Sequence, residues 1–232
     1  MTENNFILVS ILSIVVWIIY RIILKIKNKE VNLCREIILF IFFVYFLYLL
    51  LLTIFKGGMI TIRNISNEYI YRQYGLFGII NIVPIKETIE TFMHSEAGKM
   101  NSIRNIIGNI IAFMPLGFFV PLLFDKFNNY KKVIKVGFLS SLAIEITQLF
   151  VGSNVCDIDD IIYNTLGAIV GFLCFKTFEK ITIKIKIKEK IDKIRDFETK
   201  NILKKSVKGI LIVSVIIVVS YIYAFYNQTM FS

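Results

Sequence analysis

Six apolar stretches, each near the roughly 20 residues that a helix needs to cross a bilayer, dominate this chain of 232 residues. They span residues 6–24, 37–55, 105–124, 133–151, 159–178 and 209–226. Hydrophobic residues make up 56% of the chain, above the level of about half that is typical of soluble domains. We therefore predict an all-α fold, a polytopic helical membrane protein with about six transmembrane helices.

The distribution of basic residues predicts which connections lie on the cytoplasmic side of the membrane. The chain carries 27 Lys and Arg and a net charge of +10, and 21 of these residues fall on three alternate connections: 21–36, 125–135 and 176–208. Because cytoplasmic loops collect Lys and Arg, these connections are predicted to be cytoplasmic. Both termini and residues 153–158 then lie outside the cell. The charge is explained by topology, so we expect no nucleic-acid partner.

Polar side chains interrupt three neighbouring apolar stretches at similar predicted depths. Amides and carboxylates in hydrocarbon are costly unless they are paired or line a cavity, so they mark a candidate site. At about 1.5 Å per residue, we place Asn109, Glu145 and Asn164 roughly 8–10 Å below the outer surface. The candidate ligand-binding residues are Arg104, Asn105, Asn109, Glu145, Gln148, Asp157, Asp159, Asp160 and Asn164.

Three kinds of chemistry fit this set. Carboxylates are hard ligands, so Asp157, Asp159, Asp160 and Glu145 are candidate ligands for Mg²⁺ or Ca²⁺. The same groups, with Arg104, suit hydrogen bonding to a polar head group from the outer leaflet. Alternatively, the amides join helices and an Asp caps the fifth apolar helix. That alternative explains Glu145 poorly, because a buried carboxylate needs a strong partner or a raised pKa.

Other segments carry weaker signals. Ile85, Ile89 and Phe92 recur at helical spacing, which predicts a short amphipathic helix, either at the membrane interface or capping the bundle. The lysine-rich connection 176–208 favours either an amphipathic helix on the inner leaflet or a solvated linker. Gly117 and Gly167 are predicted to permit close helix packing. His94 is the only histidine, and no GxSxG motif accompanies it.

The spaced polar residues resemble the motifs of the VanZ family of bacterial membrane proteins. The matching patterns are Asn105-x-x-x-Asn109-x-x-x-Phe113-x-Pro115-x-Gly117, Glu145-x-x-Gln148 and Asp157-Ile158-Asp159-Asp160-x-x-x-Asn164-Thr165-x-Gly167, with Asn81-Ile82-Val83-Pro84 upstream. The chain departs from many relatives at Ser153-Asn154, where they carry a basic residue. The resemblance implies a small helical membrane domain, and the family's founding member lowers sensitivity to teicoplanin, a lipid-tailed glycopeptide.

Three regions follow. Residues 1–36 hold an N-terminal transmembrane helix and basic loop, 37–178 the VanZ-like membrane domain, and 179–232 a lysine-rich cytoplasmic loop and C-terminal transmembrane helix.

We expect a plasma-membrane protein that binds a polar lipid or lipid-linked envelope precursor in an outer-leaflet pocket and contributes to glycopeptide resistance. Two alternatives are a metal-assisted hydrolase or transferase acting on a lipid head group, and a structural partner of envelope-synthesis enzymes.

Overall fold

The computed structural model describes residues 3–28, 33–54, 80–81, 83–151 and 156–184, and most of them are helical. This confirms the all-α fold class. In chain order the elements are α1 (Glu3–Asn28), α2 (Leu33–Ile54), β1 (Ile80–Asn81), α3 (Lys86–His94), α4 (Glu96–Leu123), the 3₁₀ turn η1 (Asp125–Phe127), α5 (Tyr130–Val151), β2 (Cys156–Asp157) and α6 (Ile158–Lys184).

Five of the six predicted apolar stretches form helices, namely α1, α2, α4, α5 and α6. The stretch 209–226 and most of the lysine-rich connection lie outside the described residues. Within the described part, three helices are long and apolar enough to cross a membrane: Leu33–Leu50, Glu96–Leu123 and Ile158–Thr182. The chain is therefore a helical membrane protein by composition and fold, and the count of about six spans is not confirmed.

Helices α4 and α6 pack backbone against backbone. A Cβ atom at Gly117 would lie 2.0 Å from the carbonyl oxygen of Ala168, and one at Gly167 would lie 2.3 Å from that of Ile110. Gly171, one turn after Gly167, is equally tight, at 1.9 Å from the oxygen of Met114. Small residues allow such approach in membrane bundles. The predicted packing role of Gly117 and Gly167 is confirmed, and Gly171 extends it.

Helix α2 packs against α4 and α5. Its apolar residues form one core with those of α4, including Leu39 of α2 and Phe113 and Leu123 of α4, each at most 1% exposed. The Tyr45 hydroxyl donates to the carbonyl of Ala112 across a distance of 2.7 Å. Helix α1 joins α2 through an ion pair between Arg21 and Glu36. The contacts of α2 thus lie on the part of α4 that follows the asparagines.

Two short elements close one end of the bundle. Strands β1 and β2 form a two-residue parallel bridge, which sets Ile80 beside Cys156 and Asn81 beside Asp157. The bridge brings the start of α3 to the start of α6. Helix α3 is the predicted amphipathic helix, with Ile89 exposed and the short link at Ser95 leading directly into α4. The beginnings of α3, α4 and α6 and the end of α5 therefore meet at one end.

Candidate functional site

Asp157 caps α6. Its Oδ1 accepts the backbone N–H of Asp159 at 2.9 Å, the geometry of a helix N-cap. The same oxygen accepts the side-chain amide of Asn81 at 3.1 Å, which ties the cap to β1. The cap interpretation therefore fits Asp157, and the upstream Asn81 becomes part of the site.

Asp159 holds α3 in place. The side chain is fully buried, and its two oxygens accept the backbone N–H of Ile85 and the hydroxyl of Thr88, the latter at 2.6 Å. Ile85 has φ 65°, a left-handed conformation that is rare for a β-branched residue. Tyr163, one turn into α6, donates to the Thr88 oxygen at 3.2 Å. Asp159 thus stabilises a strained turn at the start of α3.

Asp160 joins α6 to α4. Its Oδ1 accepts the amides of Asn105 and Asn109, at 3.1 and 2.6 Å. The two asparagines are one turn apart on the same face of α4, so both reach a single oxygen. Only 5% of Asp160 is exposed. The three predicted site residues are thus in direct contact, and their binding of a ligand stays a prediction.

Glu145 connects α5 to the N-terminal end of α6. It is 1% exposed, and its Oε2 accepts the backbone N–H of Asp157 at 3.1 Å. Gln148, on the same face of α5, is 2% exposed. Because a carboxylate in a membrane bundle is costly to bury, Glu145 is a functional candidate. It contacts the backbone just before α6, so its carboxylate lies at the end of the bundle where α3, α4 and α6 begin.

Asn164 lies deeper than the other candidates. Its side-chain nitrogen donates to the hydroxyl oxygen of Ser141, at 2.9 Å, and both residues are buried. Ser141 precedes Glu145 by one turn of α5, and Asn164 follows Asp160 by one turn of α6. The Asn164–Ser141 pair thus forms a second level of buried polar contacts, one helical turn beyond Asp160 and Glu145.

Arg104 is exposed, and no described contact joins it to these groups. Three contributors were not predicted: Thr88, Tyr163 and Ser141. Ser141 shares the helix face of Glu145 and Gln148, so its spacing could have identified it. Thr88 donates to Asp159 and accepts from Tyr163, and no local sequence pattern predicts these tertiary contacts.

The carboxylates near the start of α6 change the pKa of the Cys156 thiol. Burial, reinforced by the carboxylates of Glu145, Asp157 and Asp160, raises the pKa of this thiol. A negative field at the start of α6 disfavours another negative charge beside it. The carboxylates around Cys156 therefore disfavour its thiolate form.

The predicted metal ligands do not converge on one point. Within the described ranges, no three Asp, Glu, Cys or His side chains are arranged to hold a metal ion. Asp159 faces the N–H of Ile85 and the Thr88 hydroxyl, whereas Asp160 faces the amides of α4. The prediction of a divalent cation therefore stays a prediction, and the observed geometry does not add to it.

The fold and the buried polar cluster define a helical integral membrane protein with a polar site at one end of its bundle. The VanZ/LLP1 family model matches residues 40–179, more than half of the chain. The chain belongs to the VanZ/LLP1 family. Comparison with curated proteins and with solved structures finds no match. The matched segment contains α3, α4, α5, most of α6 and every candidate site residue.

Proposed function

We propose that this protein binds a polar or lipid-linked cell-envelope ligand at the buried site and contributes to resistance to teicoplanin-type glycopeptides. Glu145 is the observation that carries this proposal. It is 1% exposed in the bundle, yet the cap of α6 is already supplied by Asp157. Glu145 accepts the backbone N–H of Asp157, and a neutral glutamine would satisfy that bond equally, so the buried charge is the part that this hydrogen bond does not require. Membership of the VanZ/LLP1 family supports the same direction.

The proposal places the site in the outer half of the plasma membrane. The basic connection 125–135 lies at the end of the bundle opposite Asp157, and the positive-inside rule assigns that end to the cytoplasm. Single cysteines at Glu96 and Lys131, both exposed, test this in a chain whose own cysteines are Ser. An impermeant maleimide should label the Glu96→Cys variant in whole cells and leave Lys131→Cys unlabelled. The reverse pattern would move the site to the inner leaflet.

The functional test is Glu145→Gln. Glutamine keeps an oxygen that accepts the Asp157 N–H and removes only the charge, so the bundle should still insert and fold. We expect loss of glycopeptide protection in a susceptible bacterial host at equal membrane abundance. Glu179→Gln is the matched control, since Glu179 lies on α6 near the opposite end and pairs with Lys176 at 2.7 Å. Full protection by Glu145→Gln would leave the carboxylate a structural role and support the alternative of a structural partner of envelope-synthesis enzymes.

A further inference from the structure

An open hydrogen-bonding position lies at the deep level of the site. Asn164 is 3% exposed, its nitrogen donates to Ser141, and its Oδ1 accepts no hydrogen bond from any described residue. Turning the amide over would only exchange the open atom, because Ser141 offers one hydroxyl. Polar atoms in a membrane interior are normally satisfied within the protein or by a bound group, since hydrocarbon offers no partner.

The open atom continues the polar cluster. Asn164 follows Asp160 on one face of α6, and Ser141 precedes Glu145 on one face of α5. Asp160 and Glu145 are the buried carboxylates of the level above, at 5% and 1% exposure. From Asp157 to Asn164 the distance along α6 is about 10 Å. A group bound at Asn164 would therefore have these two carboxylates in the adjacent level of the bundle.

The negative charges of these carboxylates restrict the chemical class of a ligand at this position. A phosphate is an anion, and the carboxylates of Asp160 and Glu145 repel it. An ammonium group would be held by those carboxylates before it reached a neutral amide. An uncharged hydroxyl costs less to desolvate than either ion and can donate to an amide oxygen.

We propose that Asn164 and Ser141 form the deep end of the ligand site and bind a hydroxyl of an uncharged head group, such as a sugar. The inference rests on the proposed function and adds a ligand class, a neutral hydroxyl-bearing lipid in preference to an anionic phospholipid. A single water molecule is the other source of a hydroxyl for the same position. The experiment separates the two sources.

The probes are monoglucosyl-diacylglycerol, diacylglycerol and phosphatidic acid with identical acyl chains, added to the purified full-length protein. Native mass spectrometry measures the bound fraction of each lipid. We expect the glucosyl lipid to bind at least about tenfold more tightly than diacylglycerol and phosphatidic acid, a difference of about 1.4 kcal/mol. Asn164→Leu, close to asparagine in size, and the smaller change Ser141→Ala should each reduce that preference. Thr177→Val is the control, because its hydroxyl bonds only within α6, to Leu173.

Three results would overturn the inference. One is a preference for phosphatidic acid, and another is equal binding of the glucosyl lipid by the parent and by both variants. The third is no lipid preference in the parent combined with a higher melting temperature of Asn164→Leu, which would show that the pair held only water. If Glu145→Gln loses protection while the Asn164 and Ser141 variants bind like the parent, the proposed function stands and only the deep end fails.

Discussion

The carboxylate of Asp159 accepts the backbone N–H of Ile85, a residue that the chain holds at φ 65°. Such a conformation costs of the order of 1–3 kcal/mol, so it persists only where its surroundings fix it. The second oxygen of Asp159 accepts the Thr88 hydroxyl, which fixes the first turn of α3 as well. One buried carboxylate at the start of α6 thus determines where α3 begins.

Replacing Asp159 with Asn should loosen this turn. The substitution removes the charge and one of the two acceptors, and a buried donor left without a partner costs about 1–3 kcal/mol. We expect a lower melting temperature in detergent and faster hydrogen exchange of the backbone amides of α3, with α5 unaffected. Thr88→Val, which removes a single bond, should have a smaller effect in the same direction. Unchanged exchange in α3 would contradict the anchoring role.

Gly171→Ala should destabilise the bundle through the seam between α4 and α6. The added methyl group would lie 1.9 Å from the carbonyl oxygen of Met114, so the two backbones must move apart. Overpacking of this kind typically costs 1–3 kcal/mol. Gly108→Ala is the matched control on α4, because a Cβ there meets nothing within 4 Å and alanine favours helix. Thermal unfolding should show a clear decrease for the first variant and none for the second.

The thiol of Cys156 should ionise at higher pH than a free cysteine. Burial and the carboxylates of Glu145, Asp157 and Asp160 raise its pKa, so the thiol stays protonated where an ordinary thiol has ionised. With Cys34 and Cys174 replaced by Ser, the alkylation rate should keep rising above pH 9 instead of levelling off. Neutralising Glu145 with Gln removes one repelling charge, so it should lower the pKa and speed alkylation at pH 8. A rate that levels off near pH 8.5 would contradict the negative field at the mouth.

Divalent cations should have little effect on stability. The oxygens of Asp159 accept hydrogen bonds from α3, and the described residues contain no metal-binding group of three. We expect Mg²⁺ or Ca²⁺ in the millimolar range to leave the melting temperature within about 1 °C of its value in EDTA. A cation bound at 100 times its Kd would instead add about 2.7 kcal/mol to the free energy of unfolding and raise the melting temperature clearly. An increase that is lost in Asp157→Asn would restore the cation site.

The sequence predicts most of the helices because continuous apolar runs carry a strong signal. Boundaries are less well determined. Helix α4 starts at Glu96, where Ser95 accepts the N–H of Gly98 as a cap, and not at Asn105 where the apolar run begins. A cap is a local signal, but polar turns that extend a helix beyond the membrane leave no hydropathy signal.

Some contacts of the candidate site could likewise be predicted from the sequence, and others could not. Asn105, Asn109 and Asp160 were predicted to share a site from their spacing, since helical periodicity sets the faces. The contact between Thr88 and Asp159 was not predicted, because it depends on the parallel bridge that brings Asn81 beside Asp157. The pairing of Asn164 with Ser141 was not predicted for a related reason. Helix ends counted from hydropathy do not show how β2 aligns α5 with α6.

The glycine seam also limits how a ligand could travel. Gly117, Gly167 and Gly171 bring the backbones of α4 and α6 together, so a molecule cannot slip sideways between them without separating two peptide chains. Lateral passage from the bilayer is therefore closed on this side. The end of the bundle beside α3, whose first turn is fixed by Asp159, is an approach to the proposed site that does not cross this seam. The helix pair that packs most tightly thereby sets the direction of access to the site.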